Sequence, residues 1–206
     1  MKKLIAFTLS EVILTMTIVG VVAAMTIPSL QYQRTKKEYS VKLKKFYSRI
    51  ENAILDMEID KNINFKSLTQ PDSADTYDWY MTYIDPYLGH QYVDETNGIV
   101  YFKEGSSVLN FSSASGGGCS EFLYDVNADK APNIKGRDRF KFLFCFTDAK
   151  RVDWFNSADI YFGTYGQFVN KTRAQLIADC QENGDFCARL LQHDLWNYKS
   201  DYPYNP

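Results

Sequence analysis

The first thirty residues, MKKLIAFTLSEVILTMTIVGVVAAMTIPSL, constrain this chain more than any other stretch. Lys2 and Lys3 precede an apolar run in which Glu11 is the one charge between Phe7 and Ile27. As an α-helix, residues 7–27 span roughly 32 Å, about the hydrocarbon thickness of a bilayer. The run is too long for the apolar region of an ordinary secretory signal, and residues 31–37, which follow it, lack a tidy small-residue cleavage site. A membrane-crossing helix is therefore expected. Lys2 and Lys3 have no counter-charge beside them, which favours a cytoplasmic N-terminus with the rest of the chain outside.

Glu11 makes the expectation more specific, because an acid within lipid costs on the order of a few kcal/mol unless it meets a partner. Through its short basic leader and the run Phe7-Thr8-Leu9-Ser10-Glu11, the sequence resembles the type IV pilin and type II secretion pseudopilin superfamily. In that family a prepilin peptidase cuts before the Phe and methylates the new N-terminus. The Glu four residues later pairs with the terminal amine of a neighbouring subunit. The resemblance implies a leader at 1–6, cleavage between Ala6 and Phe7, methylation of Phe7 and an assembly role for Glu11. Ala6 departs from the family, which nearly always has Gly before the cut. Pro28 stands where many members have a helix-bending proline; it removes a backbone donor and is expected to kink or locally melt the helix. An apolar run ending in Pro is on its own only an anchor, and a lone Glu can be tolerated near an interface. The specificity lies in the joint occurrence of leader, Phe7, Glu11, length and Pro28.

Past Pro28 the helical pattern continues but becomes amphipathic. Tyr39, Leu43, Phe46, Tyr47, Ile50, Ala53, Ile54 and Met57 recur at three- and four-residue spacing, with Lys36, Lys37, Lys42, Lys44, Lys45 and Arg49 between them. A helix from Phe7 to about Ile59 would be roughly 80 Å long, first in lipid and then packed on a head. The lysines are read as a solvated face in preference to a contact with anionic headgroups.

About 150 residues remain, enough for one core and one domain. Fifteen tyrosines and fourteen phenylalanines make that core aromatic. A formal charge of -2 gives no nucleic-acid surface, and neither a phosphate loop, a zinc-type cluster nor a nucleophile elbow is present. His90 and His193 lack ligand or triad spacing and read as surface or turn residues. No catalytic residue and no cofactor is assigned. Ser73 reads as the N-cap of a short helix over 74–84 closed by Pro86. Residues 99–103, 107–111, 121–126, 140–146 and 151–155 read as strands of an antiparallel meander, with a mobile loop at 112–118. Residues 171–195 read as helical.

An exported head meets an oxidising compartment, so four cysteines suggest two disulfides, although the count alone leaves three pairings open. Cys180 and Cys187 bracket the turn Asn183-Gly184-Asp185, and the resemblance supports a staple there, since many pilins close a C-terminal loop this way. Cys119 and Cys145 have their midpoint at Pro132, so a symmetrical hairpin would bring them face to face. Free buried thiols are the alternative for both pairs. The hairpin loop carries Asp125, Asn127 and Asp129 in the D-x-N-x-D order that opens a calcium loop. Lys130 then replaces the turn Gly, Gly136 stands where the bidentate acid belongs, and Asp138 comes two residues late, so Asx-turns are the plainer explanation. Some pseudopilins do bind calcium, which keeps the question open at these four residues.

The expected architecture is α+β, pilin-like: a leader at 1–6, a transmembrane and filament-core helix at 7–30, and an amphipathic helix with one antiparallel head at 31–206, ending in short helices. The function implied by the resemblance is a structural subunit of a type IV pilus or secretion pseudopilus in the bacterial inner membrane. Its partners would be the prepilin peptidase, other pilin or pseudopilin subunits, the assembly machinery and inner-membrane lipid, with no nucleic acid; the acidic balance argues against a DNA-uptake pilin. The competing expectation is a single-pass anchored binding or sensory module that never polymerises.

Overall fold

The computed structural model describes residues 8–114, 118–146, 162–167 and 169–204. Helix α1, Leu9–Lys61, occupies the N-terminal quarter of the chain and is about 80 Å long. Its start is set by a capping box: the Thr8 side chain accepts from the Glu11 backbone N–H, and Glu11 reaches back to the Thr8 backbone N–H. The Thr8-x-x-Glu11 pattern is readable in the sequence, although the expectation placed the start at Phe7, outside the described residues. Of the two outcomes expected at Pro28, local melting does not occur, because α1 runs through it unbroken. Asn62 in the left-handed region ends the helix, its N–H shared between the Glu58 and Ile59 carbonyls.

Two short helices follow, α2 at Thr76–Tyr83 and α3 at Asp85–Leu88. Here the sequence reading needs correction. Ser73 does not cap α2; its hydroxyl accepts instead from the Ser113 backbone N–H at 3.0 Å. Pro86 stands two residues after Ile84, the C-cap that ends α2, as expected. It also lies in the first turn of α3, where the N–H has no intrahelical partner to lose.

Among the described residues, six strands form one antiparallel sheet in sequence order: β1 Tyr92–Asp94, β2 Ile99–Phe102, β3 Ser106–Ser113, β4 Cys119–Asp125, β5 Arg139–Cys145 and β6 Phe162–Thr164. Strand β1 was not expected, yet Asn97-Gly98 is a hairpin signal, and Asp94 caps that turn by accepting from the Asn97 backbone and side-chain amides. Strand β6 was missed. The strand expected at 151–155 lies outside the described residues, as does the centre of the loop expected at 112–118, whose first two residues belong to β3. The C-terminal helical stretch is two helices, α4 Arg173–Asn183 and α5 Cys187–His193.

Alternation along β5 sorts the sheet into two faces. Phe140, Phe142, Phe144 and Phe146 join Phe122 and Tyr124 of β4 in the main core. Leu143 and Cys145 turn to the other face, with Cys119. Helix α1 lies over the aromatic face, burying Leu43, Phe46, Ile50, Ala53, Ile54 and Met57. Phe46 is the centre of that contact: its ring stacks on Tyr124 at 3.9 Å between centroids and meets Phe142 edge-on at 5.4 Å.

The C-terminal tail is fastened by charge as well as packing. Arg173 donates from Nε to Asp194 at 2.8 Å and from Nη1 to Asp201 at 2.6 Å, and Lys199 reaches Asp194 at 2.8 Å. Burial opposes ionisation of Asp194, yet hydrogen bonds from Arg173, Lys199 and His193 outweigh it and bring its carboxyl down to about 2. A depressed carboxylate stabilises the fold above its unfolded pKa and loses that contribution as pH falls from 3.8 through about 2. Thermal melts across that window should show a steep acid loss in the native chain. Asp194→Asn should be less stable at neutral pH and show a shallower loss; an unchanged slope would contradict this role.

Candidate functional site

The segment from Thr8 to Leu30 makes no packing contribution to the head: no residue of α1 before Leu43 is fully buried. Leu9, Met16, Met25 and Leu30 are each more than two-thirds exposed. This is the single candidate membrane span among the described residues, by length and composition. Its polar groups are dealt with locally. The Thr15, Thr17 and Thr26 hydroxyls donate to the carbonyls of Val12, Ile13 and Val22 at 2.8 to 2.9 Å, so none is left bare on a lipid-facing surface. Glu11 sits one turn into the helix. Its Oε2 accepts from the Thr8 N–H at 2.8 Å and the Thr8 hydroxyl at 2.9 Å. The acid thus meets the positive end of the helix, where orphan N–H groups favour negative charge. Ala6 and Phe7 lie outside the described residues.

All four cysteines are paired, Cys119 with Cys145 and Cys180 with Cys187. Cys119 and Cys145 are directly opposite in the β4–β5 register, with Cα atoms 4.0 Å apart. The Phe146 N–H bonds to the Gly118 carbonyl beside them, which marks a non-hydrogen-bonded pair, the closer of the two antiparallel pair types. The other bond spans Gly184, which ends α4 at φ +78°.

The residues of the D-x-N-x-D loop are brought near one another but do not converge on a common point. Asp125 accepts from Arg139 Nε at 2.8 Å and from the Asn127 backbone. Asp129 accepts from the Tyr101 hydroxyl at 2.7 Å. Asp138 is fully buried and accepts from the backbone N–H groups of Asn133 and Ile134 at 2.8 and 2.6 Å. These carboxylates hold the loop's own backbone, an arginine and a tyrosine hydroxyl, and no group of three acidic, histidine or cysteine side chains suited to a metal occurs among the described residues. Burial pushes the Asp125 carboxyl up even with Arg139 beside it. The loop also docks the C-terminus: the Tyr202 hydroxyl donates to the Gly136 carbonyl at 2.6 Å. A Cβ on Gly136, at φ +81°, would come within 2.5 Å of Cys187 Sγ and 2.7 Å of Tyr204, so only glycine fits that approach.

The two histidines are placed apart. His90 pairs with the buried Asp85 at 2.7 Å beside a cavity of about 280 Å³ lined by Arg49, Lys103 and Glu104. His193 lies 3.4 Å from Asp194 in the C-terminal clamp.

A family match covers residues 29–205. The chain belongs to DUF6613, a family of unknown function. The DUF6613 match begins one residue after Pro28, so it takes in the head-packed part of α1 and the sheet while the apolar segment lies outside it. No curated protein and no solved structure matches the chain.

Proposed function

We propose that this DUF6613 protein is a membrane-anchored filament subunit of the type IV pilin or type II secretion pseudopilin kind, structural and not catalytic. One observation carries the reading: a helix with no buried residue from Leu9 to Leu30, with the single acid Glu11 one turn from its start, continues into a half that is packed on a head. An apolar helix of this kind is equally suited to lipid and to a bundle of like helices. A subunit can therefore wait in the membrane and later be extracted into a filament core by an assembly machine.

Orientation rests on the disulfides and not on charge alone. The basic residues after the span, Arg34 to Arg49, outnumber Lys2 and Lys3, a bias that on its own would draw the head to the cytoplasm. The head, however, engages several of them: Lys42 donates to the Val126 carbonyl, and Arg49 pairs with Glu104 at 2.5 Å. Two disulfides fit an oxidising compartment. We therefore place the head outside the cytoplasm and the prepilin peptidase at the leader.

The test is N-terminal mass spectrometry of protein from membranes and from sheared surface fractions. A methylated Phe7 supports the subunit; an intact Met1 in functional protein refutes it. Because the peptidase must accommodate the residue before the cut, Ala6→Gly should be processed at least as fast as the native chain in a pulse-chase blot. A bulky residue at that position should block processing. Ala6 itself favours the second reading, a tethered binding module, and in that case neither substitution would change the chain's size.

A further inference from the structure

The cations of α1 divide at Glu38. On the head side, Lys42 pairs with Glu38 at 3.1 Å, and Lys45 and Arg49 share Glu104. On the membrane side, Arg34, Lys36 and Lys37 make no ion pair among the described residues, and Lys36 rests over the Tyr32 ring at 4.2 Å. No acid occurs from Val12 to Lys37, and Glu38, the first acid after them, is engaged by Lys42. They follow Leu30, the last exposed apolar residue of the span, by about 6 to 10 Å along the axis. The headgroup layer beyond the hydrocarbon is about 5 to 8 Å thick on each side, within reach of such side chains. At about 100° per residue, Arg34 and Lys36 lie some 200° apart around the helix, with Lys37 between them on one side. A protein docked on one face of α1 would meet only part of this set, whereas a headgroup layer surrounds the helix.

We infer that Arg34, Lys36 and Lys37 form a collar that binds the phosphates of anionic phospholipid in the leaflet next to the head. Tyr32 is its aromatic interface anchor. Each cation held near an anionic surface adds favourable attraction that salt screens. This inference needs the membrane span but not the filament reading. Lys44, exposed and about 21 Å beyond Leu30, falls outside the collar and serves as its internal control.

The experiment reconstitutes the full chain in bilayers of phosphatidylcholine and phosphatidylglycerol in equal parts. Spin-labelled versions of each lipid report by electron paramagnetic resonance which one is held at the protein surface. The native chain should prefer phosphatidylglycerol by about threefold or more, and high salt should remove the preference. The triple substitution Arg34→Gln, Lys36→Gln, Lys37→Gln should bring it near unity, while Lys44→Gln leaves it unchanged. Circular dichroism of each variant checks that the head is intact. Equal retention of both lipids by the native chain would overturn the inference. So would a preference that survives the triple substitution but disappears with Lys2→Gln and Lys3→Gln, which would assign lipid binding to the opposite end of the span.

Discussion

Glu11→Ala should insert into the membrane, keep its cleavage site and then fail to accumulate in filaments when it is the only copy. The substitution removes the one charge in the apolar helix, so insertion becomes easier, not harder. What it removes from assembly is a carboxylate able to pair with the amine that cleavage would create at Phe7 of a neighbour. A hydrogen bond to a charged group is worth about 1.5 to 3 kcal/mol, so filament yield should fall by at least about tenfold. The capping contact supplies a finer test. Glutamine at position 11 can still accept from the Thr8 N–H, as in the Glu-or-Gln form of the capping box, but it carries no charge. If helix capping is all that Glu11 does, Glu11→Gln assembles normally. If charge pairing is required, it fails like the alanine. Blots of membrane and sheared fractions decide, and normal filaments from Glu11→Ala alone would favour the tethered module. Co-expression beside the native subunit separates a rare tip subunit, which has no predecessor to pair with, from a main-body one.

The second large effect concerns stability. Phe46→Ala should lower the stability of the head by about 3 to 5 kcal/mol, the usual loss for a buried aromatic truncated to alanine. Phe46 is 3% exposed and fills the space between α1 and the Tyr124, Phe122, Phe142 and Phe102 rings. A domain held by about 5 to 15 kcal/mol would surrender a large part of its margin. The melting temperature, followed by near-ultraviolet circular dichroism in detergent, should fall by about 10 °C or more. Val41→Ala, on the exposed side of the same helix, should change it by little. Similar melting of the two variants would mean that α1 is not the lid of this core.

The features that could be read from the chain alone share a short range. The apolar run and the change to three- and four-residue spacing after Pro28 follow from one periodicity. Leu43, Phe46, Ile50, Ala53, Ile54 and Met57 are the residues that α1 buries, because a helix presents such positions on one side whatever they meet. Cys119 and Cys145 could be matched because a long hairpin pairs residues symmetrically about its loop, and Cys180 and Cys187 because a single turn separates them. Two local signals were present but overlooked: Asn97-Gly98 for the hairpin of β1, and Thr8 with Glu11 for the helix start. Thr172 with Gln175 is a third, closing the start of α4 in the same way.

Other features depend on where distant segments come to rest. Asp125, Asn127, Asp129 and Asp138 resemble a cation loop in one dimension. In three, the sheet register puts Arg139 against Asp125, the Tyr101 hydroxyl against Asp129 and backbone amides against Asp138. Nothing in the spacing of Arg173, Asp194 and Asp201 announces a clamp, since its members are more than twenty residues from Arg173. The division of the α1 cations is of this second kind too. Lys42 has Glu38 four residues before it on α1, but only the Val126 carbonyl placed beside it makes it a head contact, while Lys36 makes no ion pair among the described residues. Secondary structure and anchor follow from the order of side chains along a repeating backbone. Which charges meet the head follows from distances of a few ångströms between segments, which only the packed chain sets.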